Sequence, residues 1–265
     1  MQIKIGGDPE FFVVDRQGRV VSAIDRVPGT KHSPYKTRHG AIHHDNVLAE
    51  INFTPASTAM GFIKNVRSAM ADLQEHLDKT GCGISIISSY VMPMSEVEHP
   101  EAQIFGCEGD FDAWGIDTIL PPDVSIVGNL RTAGGHIHVG YDVAAYGPDK
   151  VARACDIEIG LTTVLLDRDT QRRSMYGAAG RYRPKSYGSE YRVPSNFWTK
   201  SDEHMTWIFE AACKAIKDID KYDDMFHSVV EVNELKGVIN SGDVNGATVL
   251  AEKYNVQIPW HLSQV

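Results

Sequence analysis

Cysteine is scarce in this sequence and never clustered. Cys82, Cys107, Cys155 and Cys213 stand far apart, which excludes a CxxC zinc pattern or a disulfide framework and reads as reduced thiols. No run approaches the roughly 20 apolar residues that cross a bilayer. Met1-Gln2-Ile3-Lys4-Ile5 leads directly into strand-like residues, so no signal peptide and no membrane association are expected. Basic residues are outnumbered, 26 Lys and Arg against 35 Asp and Glu, for a formal net charge of −9. That balance speaks against general nucleic-acid binding. It leaves room for an anionic substrate, because local arginines and bound cations can reverse the field inside a cleft. Internal repeats, low-complexity tracts and a Gly-rich phosphate loop between strand and helix are all missing. A cytoplasmic protein is expected.

What is present is an interleaving of short strands and long helices over 265 residues. Residues 3–14 read as a strand, with the β-prone run Phe11-Phe12-Val13-Val14. A turn at 15–19 leads to a second short strand, Val20 to Ile24. Val27 to Gly40 carries Pro, Gly, Ser and Lys and reads as a loop. Ile42 to Asn52 returns to strand character. Ser57 or Thr58 can cap a helix to about Lys79, with Phe62, Val66, Ala69, Leu73 and Leu77 at helical spacing and Gly81 beyond its end. Ile84 to Val91 reads as a strand, residues 93–125 have weak periodicity, and Gly134 to Tyr141 reads as a strand. Further helices are predicted over Pro148–Asp169, Asp202–Tyr222 and Val244–Tyr254. This order favours an α+β fold with a mainly antiparallel sheet. The expected organisation is one domain over residues 1–265, with 200–265 its helical C-terminal part.

Four segments could carry chemistry. Asp8 and Glu10, two apart on a strand, project from one face. Two adjacent carboxylates repel unless a cation lies between them, and hard cations such as Mg²⁺ favour oxygen ligands; the plainer reading is a solvated strand end. Asp45 and Glu50 bracket the apolar run Val47-Leu48-Ala49, and an acid in such a run usually has a partner. Beside them His43 and His44 read as ordinary loop histidines. Gly134-Gly135-His136-Ile137-His138 puts two imidazoles on one strand face, with glycines that permit close approach of a backbone or a ligand. Finally, Arg172 to Ser195 concentrates Arg172, Arg173, Arg181, Arg183, Lys185 and Arg192 among glycines and tyrosines, and Glu190 and Arg192 are again an i, i+2 pair. Guanidinium forks suit phosphate and carboxylate oxygens, so this segment reads as a shaped anion site rather than a solvated loop.

Taken in order, these segments resemble the glutamine synthetase / glutamate–cysteine ligase superfamily, and within it the phage-type carboxylate–amine ligases (COOH-NH2 ligase type 2, amidoligases). The resemblance runs through Gly7-Asp8-Pro9-Glu10-Phe11-Phe12, Asp45 to Asn52, Phe105 to Asp110, Gly134 to Tyr141 and Tyr176 to Ser195. Asp8 stands where the wider superfamily has Glu. The resemblance implies a glutamine synthetase-like catalytic fold, with a curved antiparallel sheet and helices on its outer face. It implies Glu10 and Glu50 as ligands of an acceptor-side metal, with Asp45 a helper. Asp8, His136 and Glu190 would hold the metal that bridges ATP phosphates, and His138 would face nucleotide or substrate. Arg192 would meet a substrate carboxylate or the transferred phosphoryl group, and Arg173, Arg181 and Arg183 the phosphates. ATP and Mg²⁺, with Mn²⁺ as an alternative, are the implied cofactors, and the partners are small-molecule or peptide carboxylates and amines. The implied reaction makes an amide through an acyl phosphate, in the host cytoplasm if the gene is a bacteriophage's.

Other readings share the fold. A guanidino kinase would phosphorylate a nitrogen and form no amide. A non-catalytic binding or virion component would keep only the architecture, and a metal-dependent hydrolase would use the acids and histidines but would not need the arginine-rich segment.

Overall fold

A computed structural model describes residues 2–103, 110–115, 118–119, 127–223 and 229–263. The chain opens with β1 (Lys4–Val14), β2 (Val20–Val21), β3 (Gly29–Thr30), β4 (Ser33–Lys36), β5 (Gly40–Asp45) and β6 (Leu48–Phe53). Helix α1 (Ala59–Asp78) precedes β7 (Gly83–Ser85), β8 (Ser89–Val91), β9 (Asp110–Asp112), β10 (Thr118–Ile119), β11 (Leu130–Thr132) and β12 (Gly135–Gly140). Then come α2 (Pro148–Cys155), a π-helical stretch (Asp156–Gly160), α3 (Leu161–Leu166), β13 (Arg181–Lys185) and β14 (Gly188–Tyr191). The C-terminal part holds α4 (Asp202–Lys217), α5 (Ile219–Asp223), α6 (Val229–Ser241) and α7 (Val244–Tyr254). Among the described residues no helix is long and apolar enough to cross a membrane.

The main sheet runs β10-β9-β13-β14-β12-β1-β6-β5-β3-β4, with β2 and β7 added along β1. Every pairing is antiparallel except β3 with β5. The α+β class expected from the sequence is the class observed. β1 sits at the centre because its two halves find different partners. Residues 4–9 pair with β12, Glu10 and Phe11 with β6, and Phe12 to Val14 with β7. Alternation then sorts the side chains. Ile5, Phe11 and Val13 point into the main core with Ile137, Val139, Ala49, Ile51 and Tyr191. Phe62, Val66, Ala69, Leu73 and Leu77 of α1 and the buried side of α4 cover that face. Asp8 and Glu10 are left on the other face.

α1 starts where Thr58 Oγ1 accepts from Gly61 N at 3.2 Å, one of the two caps read from sequence. Several expectations need correction. The predicted strand Ile84–Val91 is two strands. Gly83–Ser85 pairs with β1, whereas Ser89–Val91 pairs with β11 in a separate two-stranded sheet. Between them Ser88 turns inward, its hydroxyl 3.2 Å from the Asp167 carboxylate oxygens and 2.9 Å from Ser195 Oγ. The stretch Val27–Gly40, expected as a loop, forms the sheet edge β3–β4, where Pro34 is tolerated. The helix predicted to Asp169 ends at Leu166, because Asp167 turns extended and accepts from Ser88 and Ser195. Helix α6 was not anticipated, and α4 and α5, expected as one helix, break at Asp218.

Asp156 lies in the π-helical stretch and is completely buried. Tyr191 Oη donates to its Oδ1 at 2.6 Å and Trp114 Nε1 to its Oδ2 at 2.6 Å. Burial outweighs both bonds and pushes this carboxyl up to about 7. The folded value lies above the unfolded one, so the protonated acid favours the folded state. That stabilisation is complete below about pH 4 and is lost as pH rises through about 7. Denaturant unfolding of the wild type should therefore show a decline across this window that Asp156→Asn lacks. Identical slopes for the two proteins would refute the assignment.

Candidate active site

Strand register assembles the site. Directly paired residues on antiparallel strands share a face, as do residues two apart. Asp8 pairs with His136, and Glu10 with Glu50. His138 pairs with Glu190, Glu190 with Arg183, His43 with Glu50, and Arg181 with Asp112. Hence Asp8, Glu10, His43, Asp45, Glu50, Asp110, His136, His138, Arg181, Arg183, Lys185, Glu190 and Arg192 all project from the face opposite the main core.

Two groups form there. Ligand atoms of Asp8, His136 and Glu190 lie within 4.8 Å of one another, and so do those of Glu10, Asp45 and Glu50. Asp8 and Glu10 are one strand repeat apart, about 7 Å along the backbone, so the groups are neighbours. In the first group His136 Nδ1 is 3.1 Å from Asp8 Oδ1 and 3.7 Å from Glu190 Oε1. His138 Nε2 is 3.3 Å from Asp8 Oδ2, while its Nδ1 is 2.9 Å from the Tyr187 hydroxyl. Burial alone would raise Asp8, but His138 and His136 hold its carboxyl well below the usual range. Glu190 is likewise pulled down to about 2: burial and Asp8 oppose ionisation, and Arg192, His136 and His138 overcome them.

The second group is electrostatically the reverse. Glu10 accepts from Gly134 N at 2.6 Å, and Asn52 Nδ2 donates to Glu50 at 3.4 Å. Burial, with Asp8 and Asp45 nearby, drives Glu50 well above the usual carboxylate range. Burial, Asp45 and Glu50 raise Glu10, against the pull of His136. Three carboxylates this close in a buried place fit a hard divalent cation, which would remove the repulsion that otherwise favours protonation. The first group, two carboxylates and an imidazole, fits one as well.

A cationic rim borders the first group. Arg192 Nη1 pairs with Glu190 Oε1 and lies 3.4 Å from His136 Nδ1. Asp110 Oδ1 sits between Arg192 Nε at 3.0 Å and Arg183 Nε at 3.1 Å. Lys185 Nζ is 2.6 Å from Glu190 Oε2. Arg181, half-buried, is placed beside Asp110 and Asp112. A cavity of about 310 Å³ opens next to His138 and Tyr187, lined also by Gln2, Lys4, Pro55 and Gly140.

Arg173 does not join this face. It is buried behind it, donating to Thr163 Oγ1 and to the Asp167 carbonyl, so the phosphate contact expected of it is withdrawn. Its neighbour Arg172 faces the site strand instead, donating to the Val193 and Arg192 carbonyls at 2.6 and 2.9 Å. His43 and His44 are strand residues, not loop residues, and His43 is buried against Glu50. The glycines before His136 serve packing. A Cβ on Gly134 would lie 2.4 Å from His136 Nε2, and one on Gly135 2.2 Å from the Ser195 carbonyl oxygen.

The sequence assigns no site role to Asp110, His43 or Tyr187, and counts Lys185 only among the cations of the arginine-rich segment. Lys185 was within reach, since it alternates with Arg181 and Arg183. Asp110 ends the segment Phe105–Asp110, of which residues 105–109, with Cys107, lie outside the described residues.

Residues 129–235 match the family model described as phage phiEco32-like COOH.NH2 ligase-type 2. The match agrees, over that stretch, with the resemblance read from the sequence. No curated protein matches the chain. Among solved structures, ligand-free GmaS is 13% identical with a TM-score of 0.41, covering 100% of this chain and 72% of that one. A GmaS/ADP complex is 14% identical with a TM-score of 0.38, covering 100% and 73%. Plasmodium falciparum glutamine synthetase is 10% identical with a TM-score of 0.42, covering 82% of this chain and 52% of that one.

Proposed function

We propose that this chain is an ATP- and Mg²⁺-dependent ligase that joins a carboxylate to an amine through an acyl phosphate, in a cytoplasmic setting. The observation that carries the reading is the pairing of two neighbouring cation-ready groups with an arginine rim on one sheet face. A hydrolase using the acids and histidines would have no call for Arg183, Arg192 and Lys185 beside them.

Asp8, His136 and Glu190 would hold the cation on the nucleotide side, and Glu10, Glu50 and Asp45 the one on the acceptor side. Bound divalent cations would neutralise the triphosphate and polarise the phosphoryl group. The protein's own part is positioning. Tyr187 fixes His138 through Nδ1, leaving Nε2 toward Asp8. Asp110 clamps Arg192 and Arg183 so that their remaining N–H donors are set for phosphate or carboxylate oxygens. Arg181 extends the same row. A substrate carboxylate oxygen would attack the terminal phosphorus and expel ADP. The amine would then attack the acyl carbon and expel phosphate, which carries away the proton the amine loses, with the guanidinium groups stabilising the developing charge.

ADP release measured over a matrix of acids and amines tests the proposal. Release should require both an acid and an amine, with one amide formed per ADP. Release with a single nitrogen acceptor, and a phosphorylated product, would replace ligase by phosphotransferase. Nucleotide binding should also need metal, so equal ATP affinity in EDTA would contradict the two-cation arrangement.

A further inference from the structure

We infer that Asn46, locked in place by Arg131, is a positioning residue: it fixes the hairpin turn that presents Asp45 to Glu10 and Glu50, and so makes Asp45 a ligand of the cation proposed there. The inference rests on the proposal that this group holds a divalent cation. Asp45 pairs with Leu48, which leaves Asn46 and Val47 as the whole turn between β5 and β6. Asn46 takes the left-handed backbone conformation, φ 55°, that asparagine tolerates better than most residues. Turn tips usually lie in solvent. This one is anchored: Val47 is fully buried with Phe12, Met92 and Ala102, and its carbonyl accepts from Ala23 N at 2.9 Å.

The Asn46 side chain fastens the turn to distant parts of the chain. Its Nδ2 donates to the Glu101 and Ala102 carbonyls at 3.2 and 3.0 Å. Its Oδ1 accepts from Val47 N at 2.9 Å and from Arg131 Nε at 3.2 Å. Arg131 is buried and donates onward to the Ala102, Gly128 and Leu130 carbonyls. Residues 101–102 and 128–131 thus meet around one amide. Asp45 needs such a hold. Without a cation, Glu10 and Glu50 repel it, and Lys31 Nζ, 4.0 Å from its Oδ2, competes for it. A pinned backbone keeps the carboxylate within 4.8 Å of the other two acids. Groups that orient a metal ligand are commonly worth about ten- to a hundredfold in metal affinity.

Calorimetry with Mn²⁺ alone tests the inference. Glu190→Gln disables the other position, so its remaining Mn²⁺ binding reports on Glu10, Asp45 and Glu50. Adding Asn46→Gly, which keeps the left-handed turn but removes the amide, should weaken that binding about tenfold or more. In Glu50→Gln, whose remaining binding reports on Asp8, His136 and Glu190, the same substitution should change affinity less than about threefold. In Glu190→Gln/Asp45→Asn it should also cost less than about threefold, because the ligand it positions is already gone. An equal loss in the Glu190→Gln and Glu50→Gln backgrounds would show a general loosening of the fold. A full loss without the Asp45 carboxylate would show that Asn46 acts elsewhere, and an unchanged affinity in Glu190→Gln that it positions nothing. Each of these results would overturn the inference. No Mn²⁺ binding at all in Glu190→Gln would overturn it together with the cation proposed at this group, whereas failure of the ligase reading would show only in ADP release.

Discussion

Glu190→Gln should reduce ADP-forming turnover by roughly a hundredfold or more and weaken metal-linked ATP binding. The change keeps the size of the side chain and removes its charge. Glu190 accepts from Arg192 and Lys185 and stands beside His136 and His138. Without its carboxylate one cation ligand is lost, and four cationic or protonatable groups are left crowded at the cation position. Arg192→Lys should slow turnover by a similar factor, because an ammonium cannot bridge Asp110 and Glu190 while presenting a planar pair of donors. By residue type the two should fail differently, one binding cations and the other anions. The structure joins them, since Arg192 touches Glu190 and helps hold it ionised. A double-mutant cycle on turnover should therefore show strong coupling. Additive losses, or normal turnover by Arg192→Lys, would defeat this account of the strand.

Glu50→Gln should make the metal-free protein more stable and the metal-loaded protein less so. Burial together with Asp8 and Asp45 disfavours the Glu50 charge, so its neutral amide removes repulsion when no cation is bound. The same change removes a ligand when one is. A ligand at a hundred times its dissociation constant stabilises the folded state by about 2.7 kcal/mol, which for a chain of this size moves the melting temperature by on the order of 5–10 °C. Melting curves with EDTA and with excess Mg²⁺ or Mn²⁺ should show such a rise in the wild type. In Glu50→Gln it should be smaller, because only the Asp8, His136 and Glu190 position keeps its ligands, above a raised EDTA baseline. A rise of wild-type size in the variant would show that Glu50 holds no cation.

Local order decided much of what the sequence revealed. Alternation along Lys4–Val14 put Asp8 and Glu10 on one face and Ile5, Phe11 and Val13 on the other, because side chains in a strand must alternate. The same rule paired His136 with His138 and Glu190 with Arg192. The helical spacing from Phe62 to Leu77 marked α1 and its buried side. These readings need only near neighbours in the chain. What sequence could not settle was which strands lie beside which, and in what register. The meeting of Asp8 with His136, and of Glu190 with His138 and Arg183, is a matter of cross-strand partners far apart in sequence. Arg172 and Arg173 are adjacent and chemically alike, yet one supports the site strand and the other is buried against Thr163. His43 and His44 divide in the same way, one turned to Glu50 and the other to Glu101. A pattern of residues states which groups share a face, but only packing states what that face meets, because burial and pairing depend on contacts that close over long loops.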